Sequence, residues 1–119
     1  LLAGLSPELL AEYFSKAKLE KLTEKTVTDR AELEQLIANT RRDGYAVIEE
    51  ELALGVVALA VPVHDAQGRV AAALNSSSHS RHTSAASMVG QRLPTLRRIS
   101  KAISVELASV PVLSLSAQV

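Results

Sequence analysis

The spacing of apolar residues changes along the chain, and these changes predict the elements of secondary structure. In the first third, apolar residues recur every three or four positions, which predicts two amphipathic helices. Their stripes run from Leu9 to Ala17 and from Leu33 to Ile37. Residues 45–74 are instead dominated by continuous apolar runs, which are typical of buried strands. A third helical stripe follows, made of Met88, Leu96, Ile99, Ile103 and Leu107.

Capping residues predict where the helices begin and end. Ser6 can cap the first helix, with Pro7 at its first position. Asp29 and Glu32 resemble a capping box before the second helix, and Gly44 suits its left-handed end.

The third helix carries two further signals. Thr83 can cap it. Pro94 removes one backbone hydrogen bond within it, so we expect a kink or a break near residues 90–93. The tail from Pro111 is expected to fray.

Three strands are predicted between the second and third helices, at Tyr45–Ile48, Val56–Val63 and Val70–Leu74. The second shows no alternation of apolar and polar residues, so both of its faces are expected to be covered. Residues 65–68 fit a tight hairpin turn with Gly68 in the left-handed conformation. The order helix, helix, three strands, helix predicts an α+β domain.

Composition narrows the class of protein. Of 119 residues, 47% are apolar, which excludes a disordered chain. Thirteen basic and thirteen acidic side chains cancel, so this segment has no electrostatic basis for binding nucleic acid by itself. The absence of Cys excludes disulfides and fits a reducing cytoplasm. No apolar run reaches the roughly 20 residues that a membrane-spanning helix needs.

The third strand ends in polar residues that could bind a ligand. Asn75 and Ser77 are two residues apart, so their side chains share one face of a strand, where an amide and a hydroxyl could donate to a carboxylate. Alternatively, they end the strand and bond local backbone. Neighbouring His79 and His82 are expected to be solvated, and so is the acidic run from Glu49 to Glu51.

No motif for catalysis or for metal binding was found. The sequence has no G-x-S-x-G elbow, phosphate-binding loop or H-E-x-x-H helix, so we predict neither an enzyme nor a cofactor. Arg92, Arg97, Arg98 and Lys101 make one side of the last helix basic, and a solvated face is the expected explanation.

Residues 1–108 resemble the C-terminal effector-sensing domain of the IclR family of bacterial transcriptional regulators. The resemblance is carried by the segments LLAGLSPE, TVTDRAELEQLIANTRRDGYAVIEEELALGV, VALAVPVHDAQGRVAAALNSSSHSR and LPTLRRISKAIS. The portion ALNSSSHSR is most similar to the branch that regulates protocatechuate and 4-hydroxybenzoate breakdown.

The resemblance implies a fold and a set of partners. The fold would be a GAF-like or profilin-like antiparallel sheet flanked by helices, with only the later part of the domain present. Residues 1–109 would form this part and residues 110–119 a C-terminal tail. A winged helix-turn-helix domain would precede it and bind operator DNA. A homodimer or homotetramer that senses a small organic acid is expected.

The resemblance also implies which residues line the pocket. Polar groups would come from the last strand and apolar groups from the strand before it. The loop ahead of that strand would contribute at Ile48, or nearby at Glu49 or Glu50; Ile48 departs from the acidic residue that many members have. The predicted ligand-binding residues are therefore Asn75, Ser77, Val56, Ala58, Ile48, Glu50 and Leu74.

Two other functions remain open from the sequence. The segment could mainly assemble subunits, without a functional pocket; substitutions at Leu96, Ile99 and Ile103 would then matter most. It could also be a GAF-like sensor attached to a different signalling protein.

Overall fold

The structure is a computed structural model that describes residues 1–110. It has the predicted order of elements, so the α+β class is confirmed. The predicted tail from Pro111 lies outside the described residues. After a 3-10 turn at Leu2–Gly4, the elements are α1 (Pro7–Lys16), α2 (Arg30–Asp43), β1 (Ala46–Glu49), β2 (Val56–His64), β3 (Val70–His79) and α3 (Ala85–Ser109).

The predicted ends of α1 and α2 are confirmed. The Ser6 hydroxyl accepts from the Leu9 amide at 3.2 Å, and Pro7 is the first helical residue. The Asp29 carboxylate caps α2 by accepting from the Ala31 amide at 3.0 Å. The predicted capping box is incomplete, because within residues 1–110 the Glu32 side chain accepts no hydrogen bond from the Asp29 amide. Gly44 ends α2 with φ 76°, a left-handed conformation that residues with a Cβ rarely adopt.

The strands form an antiparallel sheet in the order β1-β2-β3. The hairpin between β2 and β3 is confirmed: Gly68 has φ 76° and its amide donates to the Asp65 carbonyl at 3.0 Å. The buried Asp65 carboxylate accepts from the amides of Gln67 and Arg69 and from the Arg69 guanidinium, all within 3.0 Å. Burial alone would raise the pKa of Asp65, but these hydrogen bonds outweigh it and lower the pKa.

Strand β2 has one fully buried face and one half-buried face. Val57, Leu59, Val61 and Val63 are at most 3% exposed, whereas the residues between them are half-buried. The expectation that both faces are covered was therefore wrong. A hydropathy pattern does not distinguish the two faces of β2, because small and large apolar residues both count as apolar. They nevertheless bury very different areas.

Helix α3 covers the buried face of the sheet. Met88, Leu93 and Leu96 pack against Val57, Leu59 and Val61 to form the core. Ile99 and Ile103 were predicted to share this stripe, but they are 41% and 37% exposed. The buried position next to Leu96 is instead Ser100, whose hydroxyl donates to the Pro62 carbonyl.

The start of α3 differs from the prediction, and the helix has no break near residues 90–93. Ser84 rather than Thr83 is the cap, because the Ser84 hydroxyl accepts from the Ser87 amide at 3.1 Å. The helix continues through Pro94 without a break, and Pro94 lies on its exposed side.

Two of the basic residues of α3 bind within the domain. Arg92 donates to the Ser76 hydroxyl at 3.0 Å. Arg97 donates to the Asp43 carbonyl at 3.0 Å and lies 5.8 Å from the centre of the Tyr45 ring. These contacts tie α3 to β3 and to the α2–β1 junction, so this basic side is only partly a solvated face.

Candidate ligand-binding face

The register of the sheet places most of the predicted site residues on one face, opposite α3. Directly opposed residues of antiparallel strands project to the same face. Ala58 pairs with Ile48 on one side and with Ser77 on the other, while Ala60 pairs with Asn75. We call this surface the open face. Five of the seven predicted residues belong to it: Ile48, Val56, Ala58, Asn75 and Ser77.

Asn75 and Ser77 are exposed and lie within a strand. The prediction that the strand ends at Leu74 was wrong, since β3 continues to His79. Within residues 1–110, neither the Asn75 amide nor the Ser77 hydroxyl bonds another protein group. Both side chains are therefore available to an external partner.

Leu74 does not belong to the open face. It pairs with Val61 and packs against the core beneath α3. The reason is the two-residue period of a strand, which points Leu74 and Asn75 to opposite faces. We therefore remove Leu74 from the candidate site.

Glu50 has protein partners of its own at the edge of the open face. Its carboxylate accepts from the Lys25 ammonium at 2.6 Å, the Gly55 amide at 2.9 Å and the Ser80 hydroxyl at 3.2 Å. The Lys25 hydrogen bond and then the Gly55 amide lower the pKa of Glu50. Its backbone has φ 59°, an uncommon conformation for a residue with a side chain. Unlike the side chains of Asn75 and Ser77, the Glu50 carboxylate already accepts hydrogen bonds from other groups of the protein.

His79 extends the polar row of β3 and was missed by the sequence prediction. It pairs with Val56, so its side chain lies on the open face with Ser77 and Asn75. The signal was available, because residues 75, 77 and 79 have the same parity. It is not used in the sequence prediction because the predicted strand ends at Leu74 and His79 is expected to be solvated.

A cleft of about 240 Å³ adjoins the other end of the open face. Its floor includes Ala46, Ala60 and Ala73, and the N-terminal turn forms one wall. Gly4 allows this turn to approach β3, since a Cβ there would come within 2.5 Å of the Val70 Cβ. Arg41 holds the turn by donating to the Ala3 and Leu5 carbonyls at 2.9 and 3.2 Å.

Neither metal ligands nor membrane-spanning segments emerge from the described part of the chain. Residues 1–110 contain no group of three or more His, Cys, Asp or Glu side chains placed to hold a metal ion. The helices described in this range include none with the length and hydropathy needed to cross a bilayer.

A family model decides the assignment. The model for the C-terminal region of bacterial IclR transcriptional regulators matches residues 1–105. The chain belongs to the IclR family. It is accordingly a transcriptional-regulator domain and not an enzyme.

Curated relatives of this IclR domain include regulators of aromatic-acid catabolism. The chain is 36% identical over 101 residues to the Pca regulon regulatory protein of Pseudomonas putida, covering 85% of this chain and 35% of that protein. It is 37% identical over 97 residues to the p-hydroxybenzoate hydroxylase transcriptional activator of Acinetobacter baylyi, covering 82% and 36%. This chain thus spans about a third of the length of these relatives.

Solved structures agree with the IclR fold. The transcriptional regulator RHA06195 of Rhodococcus sp. RHA1 superposes with a TM-score of 0.88 at 36% identity, covering 92% of this chain and 44% of that one. The inducer-binding domain of an Acinetobacter PobR double mutant, in complex with 3-hydroxybenzoic acid, gives 0.83 at 36% identity, with coverages of 87% and 61%.

Proposed function

We propose that this chain is the effector-sensing part of an IclR-type regulator and that its open face binds a small organic acid, with aromatic acids as the preferred class. The observation that carries the proposal is the pair of unengaged polar side chains at Asn75 and Ser77, beside apolar residues on an open face. The relatives named for p-hydroxybenzoate hydroxylase activation and for PobR support the aromatic class.

The chemistry of the open face suits a carboxylate attached to an apolar body. The Asn75 amide and the Ser77 hydroxyl can each donate a hydrogen bond to a carboxylate oxygen. Ile48, Val56 and Ala58 provide apolar surface beside them. Ala58 and Ala60 are small, so this part of the sheet leaves room for an aromatic ring.

Effector binding would act on the operator through the arrangement of subunits. The subunits would exchange between two arrangements with different affinities for the operator. A ligand can shift the equilibrium between these arrangements only by the difference in its affinity for them. Operator contact would come from a part of the regulator outside this chain, and subunits would assemble as a homodimer or homotetramer.

The test is a thermal-shift and calorimetric titration of the intact protein with protocatechuate, 4-hydroxybenzoate and pyruvate. An acid at 100 times its Kd should stabilise the protein by about 2.7 kcal/mol. The double variant Asn75→Ala, Ser77→Ala should lose this shift while its melting temperature without ligand stays near that of the wild type.

Ser78→Ala is the matched control, because Ser78 pairs with Val57 and therefore faces the other side of the sheet. It should retain the ligand response. An unaltered response in the Asn75 and Ser77 double variant would refute the assigned face. If none of the three acids raises the melting temperature, the proposal of a sensor loses its support.

Subunit assembly is a second candidate function, favoured by the exposure of Ile99 and Ile103 on α3. They are four residues apart and so form one apolar strip on the helix surface. If this strip is a subunit interface, the double variant Ile99→Glu, Ile103→Glu should lower the molar mass measured by light scattering. An unchanged mass would exclude this strip as the interface.

A further inference from the structure

We propose that His79 is a third ligand contact on the open face and that it binds a ring hydroxyl of a hydroxylated aromatic acid. This inference rests on the proposed function and specifies its ligand further. The carboxylate would lie at Asn75 and Ser77, and the hydroxyl would lie farther along β3.

The position of His79 follows from the strand. Asn75, Ser77 and His79 occupy alternate positions of β3, so their Cα atoms are separated by about 7 Å for each step of two residues. Val56, directly opposite His79, and Ala58, directly opposite Ser77, supply apolar surface beside this row. A ligand with polar groups at both ends of an aromatic ring fits such a pattern.

The His79 ring is held in place by its neighbours. Gly55 lies beneath it, and a Cβ at that position would come within 2.6 Å of His79 Nε2. Gly55 also has φ 83°, which disfavours other residues. Nε2 is the ring atom nearest to position 55, so this edge of the ring borders the Gly55 backbone, and any side chain at position 55 would cover Nε2.

The hydrogen bonding of the ring identifies its free donor. The Arg81 amide donates to His79 Nδ1 at 3.1 Å, so Nδ1 carries no hydrogen in this arrangement. The hydrogen of the imidazole is then on Nε2, which becomes a donor for an external oxygen. A ring hydroxyl can accept this hydrogen bond, whereas the bare edge of benzoate cannot.

Metal binding is a weaker explanation for this histidine. His82 is its aromatic neighbour, with ring centres 6.2 Å apart. Residues 1–110 supply no third side chain that would complete a metal site with this pair. In addition, His79 Nδ1 is already engaged by the Arg81 amide.

The experiment compares 4-hydroxybenzoate with benzoate, using the intact protein and isothermal titration calorimetry. His79→Phe keeps an aromatic ring over Gly55 but removes the donor. We expect it to weaken 4-hydroxybenzoate binding about tenfold, the size of one lost hydrogen bond in a desolvated site, and to leave benzoate binding unchanged. His79→Gln, which restores an N–H donor, should recover part of the preference.

His82→Ala is the matched control and should change neither affinity. Equal losses for both acids, or no loss for either, would overturn the assignment of His79. If His79→Phe does not fold, His79→Gln and His79→Ala provide the same comparison of the two acids. If the wild type binds neither of these acids and also fails to bind protocatechuate and pyruvate, the proposed function itself fails, and this result is distinct from a failure of His79 alone.

Discussion

The two faces of the sheet are made by the same three strands and have opposite properties. On the face beneath α3, β2 contributes Val57, Leu59, Val61 and Val63, all nearly inaccessible to solvent. On the open face, β2 contributes residues that are half-buried, and β3 contributes exposed polar groups. One face is filled by its own helix, whereas the other carries the Asn75 and Ser77 side chains, which form no hydrogen bond to another group within residues 1–110.

The difference lies in side-chain size as well as polarity. Leu59 is surrounded by core residues, whereas its neighbours Ala58 and Ala60 leave space above the sheet. Large side chains on one face stabilise the fold, since burial of apolar area contributes about 25 cal/mol per Å². Small side chains on the other contribute less and leave room for a ligand. Stability and recognition can therefore be changed separately by substitutions only one residue apart.

The largest expected effect is the loss of stability in Leu59→Ala. Leu59 is completely buried, so its truncation should cost about 2–5 kcal/mol of the free energy of unfolding. The neighbouring variant Ala58→Leu should cost less than about 1 kcal/mol, because its added atoms enter open space. Urea denaturation followed by circular dichroism measures both.

For ligand binding, Ala58→Leu should have a larger effect than Leu59→Ala, which is the reverse of their order for stability. Ala58→Leu should abolish the response to an aromatic acid, whereas Leu59→Ala should retain it under conditions where the variant is folded. Similar losses of stability in the two variants would show that the open face is covered in solution, which would contradict the difference between the faces.

The second prediction compares two serines on opposite sides of the sheet. Ser100 is 6% exposed and its hydroxyl donates to the Pro62 carbonyl, so Ser100→Ala should cost about 1–2 kcal/mol. Ser77→Ala removes an exposed hydroxyl and should change the stability by at most about 0.5 kcal/mol. Chemical denaturation of both variants measures these two losses of stability. A cost of Ser77→Ala as large as that of Ser100→Ala would mean that Ser77 is already engaged by the protein.

Local signals were sufficient to predict most of the fold. The caps at Ser6 and Asp29 and the turns at Gly44 and Gly68 depend on residues close in sequence, and all four are confirmed. The stripe of α3 was partly wrong because Ile99 and Ser100 are adjacent on the helix, about 100° apart. Hydropathy favours Ile99, but the contact with β2 selects Ser100, which can satisfy the Pro62 carbonyl.

The candidate site was less predictable because it depends on strand register and on distant partners. The two-residue period of a strand would have been enough to place Leu74 and Asn75 on opposite faces of β3. The same period places His79 on the face that carries Asn75 and Ser77. The partners of Glu50 could not have been inferred, since Lys25 and Ser80 are 25 and 30 residues away in the sequence. A family pattern placed Glu50 near the pocket, but only the folded chain shows that its carboxylate is occupied.

The third prediction concerns how the stability of the hairpin between β2 and β3 depends on pH. Hydrogen bonds in the folded protein lower the pKa of Asp65 below the ordinary value of 3.8. Its stabilising contribution is therefore complete above that value and is lost as the pH falls through the lowered pKa. Asp65→Asn should melt at a lower temperature than the wild type at pH 7, and the difference should shrink below pH 3.8. A constant difference across this range would contradict the assigned hydrogen bonds.

The smallest effect is expected at the other end of the sheet, where two neighbouring glutamates differ in their contacts and in their backbone conformation. Glu50 joins Lys25, Gly55 and Ser80, and the latter two flank Val56 and His79 on the open face. Glu50→Ala should therefore lower the melting temperature by a few degrees and weaken ligand binding, because it loosens the segments that carry these residues. Glu49 is exposed, so Glu49→Ala should change neither quantity.

Salt separates the two parts of the Glu50 contribution. The Lys25 side chain is 56% exposed, so its ion pair with Glu50 should weaken as ionic strength rises, whereas the hydrogen bond from the Gly55 amide should persist. Lys25→Ala should consequently behave like the wild type in 1 M salt, while Glu50→Ala should remain impaired. If high salt makes the two variants equal, the ion pair alone accounts for Glu50 and the open face does not depend on this carboxylate for its shape.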